Sequence, residues 1–172
     1  IYCHDTFGLG HISRAMKISK AIRSAKKCSI YIITGSGGTA VFDPPSGVDF
    51  VKLPTVSRVY GGKNPYRPAT DNLEATVVFE IRKMLLLSFF KQFNPDIVIV
   101  DHSPRGIMGE LEPSLDFLVK EKRKILFVTR DILDTPAVIV KKLKKNDNYT
   151  TLQKYYNKLI IAGDLEYYDA IK

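Results

Sequence analysis

The chain has 172 residues, of which 45% are hydrophobic and 26% are charged, a composition that excludes wholesale disorder and is typical of one globular domain. Its formal net charge of +8 favours an anionic partner, and the lack of zinc-finger, RNP-type or homeodomain-like patterns argues against nucleic acid. No apolar run reaches the roughly 18 residues of a spanning helix and the N-terminus does not resemble a signal peptide, so we expect a cytoplasmic protein.

The first predicted elements are a short strand that ends at Cys3, a small-residue loop at 4–10 and a helix from about His11 to Ala25. The loop has a Gly-x-Gly pattern directly before His11. Backbone N–H groups at such a helix N-terminus can bind an anion or a developing negative charge. Position 13 is not the third glycine of the dinucleotide fingerprint, and no Gly-Lys-Ser/Thr sequence follows. The loop therefore belongs to neither common phosphate-binding class.

Strands and helices alternate along the rest of the chain. Runs of β-branched and aromatic residues predict strands at 28–34, 48–53, 95–101, 124–129 and 159–162. Helical periodicity predicts a short helix at 39–42 and helices at 71–93, 110–122, 136–145 and 149–156. Asp71 or Asn72 is the predicted cap of the longest helix. The proline- and glycine-rich segment 54–70 is predicted as a long loop, of a length that is usually functional or disordered.

This alternation predicts parallel strands joined by right-handed crossovers. We therefore expect an α/β fold with a doubly wound, mostly parallel Rossmann-like sheet and helices on both faces, formed by a single domain at 1–172. Cys3 and Cys28 each fall in a predicted strand, so buried reduced thiols are expected, without a disulfide or a zinc site. Because the chain begins within its first strand and ends within a predicted helix, we expect it to be part of a larger protein.

Ligands of open parallel sheets bind beyond the carboxyl ends of the strands. If the first and fourth strands are neighbours, the loops at 4–11, 101–106 and 130–134 meet there. His11, Asp101 and His102 are the predicted catalytic residues, because histidines and carboxylates can exchange protons near neutral pH. The predicted ligand-binding residues are Gly8, Leu9, Gly10, Arg14, Arg130 and Asp131. No metal and no cofactor are predicted.

Structural roles remain open for each of these residues. His11 could cap its helix or bond a nearby carbonyl. Asp101 could accept hydrogen bonds from loop N–H groups after its strand, and Arg130 and Asp131 could form an ion pair. The apolar run at 85–90 fits a core better than a membrane-binding patch, and the basic run at 141–145 fits a solvated helix face.

Four stretches together carry a resemblance to a known family: residues 2–11, 47–54, 95–101 and 129–134. They look like the N-terminal half of the family 28 glycosyltransferases, which include the peptidoglycan N-acetylglucosaminyltransferase. The most specific part is the Gly-x-Gly-His sequence that ends at His11, with Arg14 three residues later. The glycine loop departs from the richer one of the peptidoglycan enzyme, so the acceptor is not carried over.

The resemblance implies one half of a GT-B fold, in which the N-terminal domain handles the acceptor and a C-terminal domain holds a nucleotide sugar. Gly8 and Gly10 would shape the loop at the cleft. His11 would deprotonate the acceptor hydroxyl or help to bind the donor diphosphate. The implied function is sugar transfer from a nucleotide sugar to an acceptor hydroxyl. The net charge of +8 separately favours peripheral contact with an anionic membrane or a phosphorylated ligand. The chain by itself is expected to be inactive, because the nucleotide-sugar domain is not part of it.

Two other functions remain open from the sequence. One is a stand-alone Rossmann-like module that binds a phosphorylated ligand without catalysis. The other is half of a sugar-nucleotide epimerase, which shares the two-domain layout. A second series of alternating strands and helices beyond Lys172 would favour transfer, and the lack of one would favour the module.

Overall fold

The computed structural model describes residues 1–4, 9–61, 65–130 and 148–163. These residues form a mixed α/β structure with small parallel sheets. The helices are α1 (Gly10–Ala25), α2 (Ala75–Phe93), α3 (Glu112–Lys120) and α4 (Asn148–Tyr155), with short 3-10 helices at Gly37–Val41 and Ile107–Gly109. The strands are β1 (Ile30–Thr34), β2 (Val48–Lys52), β3 (Val56–Arg58), β4 (Tyr66–Pro68), β5 (Ile97–Asp101), β6 (Lys124–Arg130) and β7 (Lys158–Ala162).

The parallel strands fall into two groups that the N-terminal residues connect. In one group β1 pairs with β2, and in the other β6 lies between β5 and β7. Tyr2 forms parallel bridges with Ile33 of β1 and Val100 of β5. The Tyr2 backbone N–H donates to Ile99 O at 2.8 Å, and the Cys3 N–H donates to Ile33 O at 2.9 Å. The first predicted strand therefore lies next to the fourth, which is the arrangement under which the loops at 4–11, 101–106 and 130–134 were expected to meet.

Two buried apolar clusters pack against the parallel strands. The larger one joins residues of β1, β5 and β6 to α2, α3 and α4, and its fully buried members include Tyr2, Ile33, Leu86, Val100, Leu115 and Ile125. The smaller one joins α1 to β1 and β2 through Cys3, Ala15, Ile32 and Val48. Among the described residues, no helix is long and apolar enough to cross a membrane.

The segment predicted as a long loop at 54–70 instead contains an antiparallel hairpin, β3 with β4. The prediction was wrong because the segment is rich in proline and glycine, which usually interrupt strands. Val56 is buried and packs with Val78 and Phe79 of α2, and Tyr66 packs edge-on to Phe79. Apolar contacts with α2 therefore stabilise a pairing that its local composition disfavours.

Other predictions need smaller corrections. Neither Asp71 nor Asn72 caps α2: Glu74 holds the N-cap position without a side-chain cap bond, and Asn72 has a φ of 62°. Cys28 precedes β1 and is half-buried, whereas Cys3 is buried as expected. The predicted helix at 136–145 lies outside the described residues. The helix predicted at 149–156 is α4, and the short one at 39–42 corresponds to the 3-10 helix Gly37–Val41.

The ion pair between Arg82 and Glu110 is completely buried. Arg82 of α2 and Glu110 both have side chains that are 0% exposed, and two Arg82 nitrogens donate to the two Glu110 oxygens at 2.6 Å. The Tyr2 hydroxyl donates to Glu110 at 2.5 Å, and a third Arg82 nitrogen donates to Pro54 O at 2.6 Å. Burial and then the charge of Glu110 raise the pKa of Tyr2, so the phenol remains a donor. The network ties the first strand, α2 and the segment before α3 together.

Candidate functional site

The candidate site lies where the N-terminus of α1 meets the carboxyl end of β5. Asp101 is the last residue of β5, and its side chain is 4% exposed. One carboxylate oxygen lies 2.6 Å from His11 Nδ1, and the other accepts a hydrogen bond from Arg14 at 2.6 Å. His11 and Arg14 lie three residues apart in the first turn of α1, so helical geometry places both side chains on one face. The site therefore contains an ordered His–Asp–Arg group.

This contact determines which nitrogen of His11 carries a proton. A carboxylate only accepts hydrogen bonds, and the other oxygen of Asp101 already accepts one from the Arg14 guanidinium. A contact of 2.6 Å between the carboxylate and Nδ1 requires a proton on Nδ1, because two acceptors would repel each other. In the neutral ring, Nε2 is then left with its lone pair. His11 is thus oriented as a base whose accepting atom points away from Asp101.

All three histidines of the chain meet here. The ring centroids are 5.2 Å apart for His11 and His102, 5.5 Å for His4 and His102, and 6.0 Å for His4 and His11. His4 is not one of the predicted site residues, although it begins the predicted loop at 4–11. The feature of the sequence that could have indicated His4 is its position directly after the first strand. The carboxyl end of that strand lies at the same sheet edge as Asp101.

The environment keeps two of these rings neutral. Burial, followed by the neighbouring His102 and His11, lowers the pKa of His4 to about 3. Burial and then His11 lower the pKa of His102. The Nδ1 atom of His4 is buried and has no hydrogen-bond partner among the described residues. A neutral imidazole can offer either a donor or an acceptor to a ligand, so the site presents polar groups without a fixed local charge on these rings.

Because of His4, the folded protein is expected to become less stable as the pH is lowered from about 6.5 towards 3. The unfolded chain binds a proton at His4 below about pH 6.5, whereas the folded protein excludes that proton until about pH 3. In this window the unfolded state binds more protons, so acidification lowers the free energy of unfolding by up to about 1.4 kcal/mol per pH unit. Urea unfolding at several pH values should show this slope, and His4→Asn should flatten it. Parallel curves for the two proteins would contradict the assignment.

His102 adopts a backbone conformation that non-glycine residues rarely take, with φ at 67°. The N–H of Ser103 donates to the carbonyl of Asp101 at 2.8 Å across this turn, and the His102 N–H donates to Val128 O of β6 at 2.9 Å. Such a conformation costs on the order of 1–3 kcal/mol and persists when surrounding contacts impose it. The turn brings the His102 ring beside His11.

The predicted ligand-binding residues are partly brought together. Gly10 begins α1, and a Cβ there would meet no described atom within 4 Å. Leu9 is 43% exposed and its side chain lies against Gly38. Arg14 holds Asp101. Arg130 is exposed at the end of β6, and its charge acts on His102. Gly8 and Asp131 lie outside the described residues.

The contacts of His11 and Asp101 differ from the purely structural roles considered for them, in which His11 bonds a carbonyl and Asp101 accepts from loop N–H groups. The imidazole of His11 binds the Asp101 carboxylate instead of a carbonyl, and Asp101 binds two side chains.

No group of three or more histidine, cysteine or acidic side chains in the described ranges is arranged to hold a metal ion. Comparisons of the chain with protein-family models, with curated proteins and with solved structures found no match.

Proposed function

We propose that this chain is the acceptor-side, N-terminal half of a GT-B glycosyltransferase similar to family 28, which transfers a sugar from a nucleotide sugar to an acceptor hydroxyl. The observation that carries the proposal is the 2.6 Å contact between His11 Nδ1 and Asp101. It leaves the opposite ring nitrogen free to take a proton at the carboxyl ends of parallel strands, where ligands of such sheets bind.

The proposal includes a doubly wound Rossmann-like sheet. The strand order β2, β1, residues 1–3, β5, β6, β7 follows from the pairings and from the bridges of Tyr2. Successive residues of a strand point to opposite faces. Tyr2 belongs to the cluster with α2 and α3, and the next residue, Cys3, belongs to the cluster with α1. This alternation supports helices on both faces.

The proposed reaction uses the His–Asp pair as its base. The acceptor oxygen forms a bond to the anomeric carbon of the donor as the bond from that carbon to the diphosphate breaks. The hydroxyl proton passes to Nε2 of His11, and Asp101 stabilises the resulting imidazolium. The leaving diphosphate carries away the bonding electrons, and backbone N–H groups at the start of α1 can stabilise its charge. No covalent intermediate with the protein is required for inversion.

The proposal assigns the two substrates to different domains. The nucleotide sugar is bound by a second domain beyond residues 1–172, and the acceptor by this one. The net charge of +8 supports peripheral contact with an anionic membrane, and nucleic acid is not proposed. A cytoplasmic location suits the two free cysteines, Cys3 and Cys28.

A transfer assay tests the function. The natural polypeptide that carries this sequence together with a nucleotide-sugar domain should release nucleotide from one member of a panel of nucleotide sugars when an acceptor is supplied. Residues 1–172 alone should give no turnover, because the proposal assigns the donor site to the second domain. Turnover by residues 1–172 alone would contradict the division into two halves. Binding without transfer would favour a non-catalytic module, and interconversion of sugar epimers would favour an epimerase.

A further inference from the structure

The turn after β5, at residues 102–106, is held from two sides. It carries His102, whose φ of 67° lies in the left-handed region, and it places the centre of the His102 ring 5.2 Å from that of His11. On one side, the His102 N–H donates to Val128 O of β6 at 2.9 Å. On the other side, the Tyr156 hydroxyl donates to the carbonyl of Pro104 at 2.6 Å. A strained conformation of this kind persists only where surrounding contacts impose it.

Tyr156 reaches the turn from the end of α4. Its backbone N–H donates to Leu152 O at 3.1 Å, and its ring packs edge-on to Phe127 of β6 with the ring centroids 5.5 Å apart. Burial raises the pKa of Tyr156, so the phenol keeps its proton and remains a hydrogen-bond donor. Because phenylalanine would make the same ring contact, the hydroxyl is the part of this side chain that acts on the turn.

The bond from Tyr156 differs from the bonds within the turn. Ser103 Oγ donates to Gly106 O at 2.8 Å, and the Gly106 N–H donates to Ser103 O at 3.0 Å. These local bonds move with the turn, whereas the bond from Tyr156 fixes the turn relative to α4 and the sheet. Pro104 is buried, and a buried carbonyl that loses its donor costs free energy. Removal of the hydroxyl therefore favours a rearranged turn.

A movement of the turn is passed on to the proposed base. The Ser103 N–H donates to the backbone carbonyl of Asp101 at 2.8 Å, and the Asp101 carboxylate orients His11 through the 2.6 Å contact with Nδ1. We propose that Tyr156 is a positioning residue of the transfer reaction, whose hydroxyl fixes the turn at 102–106 and so keeps the His11–Asp101 pair aligned. This inference rests on the proposed function for its effect on the rate, because Tyr156 acts through the turn and not on the reacting atoms.

Tyr156→Phe tests the effect on the reaction, since it removes the hydroxyl and keeps the ring. In the polypeptide that contains the nucleotide-sugar domain, this variant should lower kcat for transfer about tenfold, the loss expected for one buried hydrogen bond. KM for the nucleotide sugar should not change, because the proposal assigns the donor to the other domain. An unchanged kcat, or a raised KM with a normal kcat, would overturn the positioning role.

Tyr155→Phe is the matched control at the neighbouring position. The Tyr155 hydroxyl donates to Asp116 at 2.8 Å, and the Asp116 side chain is 61% exposed, so this bond lies at the surface and not at the turn. The control should transfer sugar at the normal rate. Equal losses in the two variants would indicate damage to α4 and would overturn the proposal.

The strain at His102 allows a test of stability that does not need transfer. His102→Gly takes a left-handed φ without strain, so the turn depends less on its outer contacts. Tyr156→Phe should therefore lower the urea midpoint less in the His102→Gly protein than in the unaltered protein. Equal losses in the two backgrounds would overturn the link between Tyr156 and the conformation of His102.

Histidine NMR spectra separate this inference from the proposed function. The chain has three histidines, so few ring signals need to be assigned. Tyr156→Phe should shift the His102 signals and weaken the magnetic contacts between the rings of His102 and His11, whereas Tyr155→Phe should leave both unchanged. Unshifted His102 signals in Tyr156→Phe would overturn this inference and leave sugar transfer standing. A shift without any transfer by the unaltered polypeptide would overturn sugar transfer, and with it the role of Tyr156 in the reaction.

Discussion

Glu110→Gln is expected to lower the free energy of unfolding by about 3 to 5 kcal/mol. The substitution leaves the guanidinium of Arg82 without a counter-charge in a position where its side chain is 0% exposed. Burial opposes that charge, and in the intact protein the hydrogen bonds and charge of Glu110 nevertheless raise the pKa of Arg82. The Tyr2 hydroxyl also loses its ionised acceptor. Urea unfolding at neutral pH measures the loss.

A neighbouring ion pair provides the control. Arg105 and Glu112 also pair a guanidinium with a carboxylate, through Nε, but their side chains are 39% and 38% exposed. Water and ions screen this pair, so Glu112→Gln should cost less than about 1 kcal/mol. Similar losses in the two variants would contradict the view that burial makes the Arg82 pair important.

A double variant separates the charge effect from packing. Arg82→Met combined with Glu110→Leu removes both buried charges and keeps much of the apolar volume. It should be more stable than Glu110→Gln alone, because no unpaired charge is left inside the protein. A larger loss in the double variant would mean that the bonds to Pro54 and Tyr2 contribute more than the ion pair itself.

His11→Ala is expected to lower sugar transfer about 10²- to 10⁴-fold, the usual contribution of a general base. Asp101→Asn should also lower the rate, because an amide neither favours a proton on Nδ1 nor stabilises the imidazolium as a carboxylate does. The assay uses the polypeptide that contains the nucleotide-sugar domain, at saturating donor and acceptor, so that the rate reports on the chemical step.

Ser13→Ala is the matched control for His11→Ala. Ser13 lies in the same first turn of α1, and its backbone N–H makes the helical bond to Leu9 O at 2.9 Å, which the substitution keeps. This variant should transfer sugar at the normal rate. Unchanged transfer in His11→Ala would remove His11 from the mechanism, whereas equal losses in both variants would indicate damage to the start of the helix.

Regular patterns allowed most elements to be predicted. The β-branched run at 95–101 became β5, and helical periodicity after His11 became α1, with limits shifted by one or two residues. The hairpin at 56–68 could not be predicted, because contacts with α2, not local preference, stabilise it. The cap of α2 was misplaced for a similar reason: Asn72 has the composition of a cap but takes a left-handed turn.

The sequence by itself determined the alternation of parallel strands and helices, but not the hairpin, and identified His11, Asp101 and His102 as residues at strand and helix ends, because periodicity and turn chemistry are local properties. The tertiary structure decided which of them interact. His11 and Asp101 are 90 positions apart, and the pairing of the first strand with β5 brings them within 2.6 Å. The inclusion of His4 in the site and the burial of its Nδ1 atom likewise depend on contacts between distant segments, which no local pattern specifies.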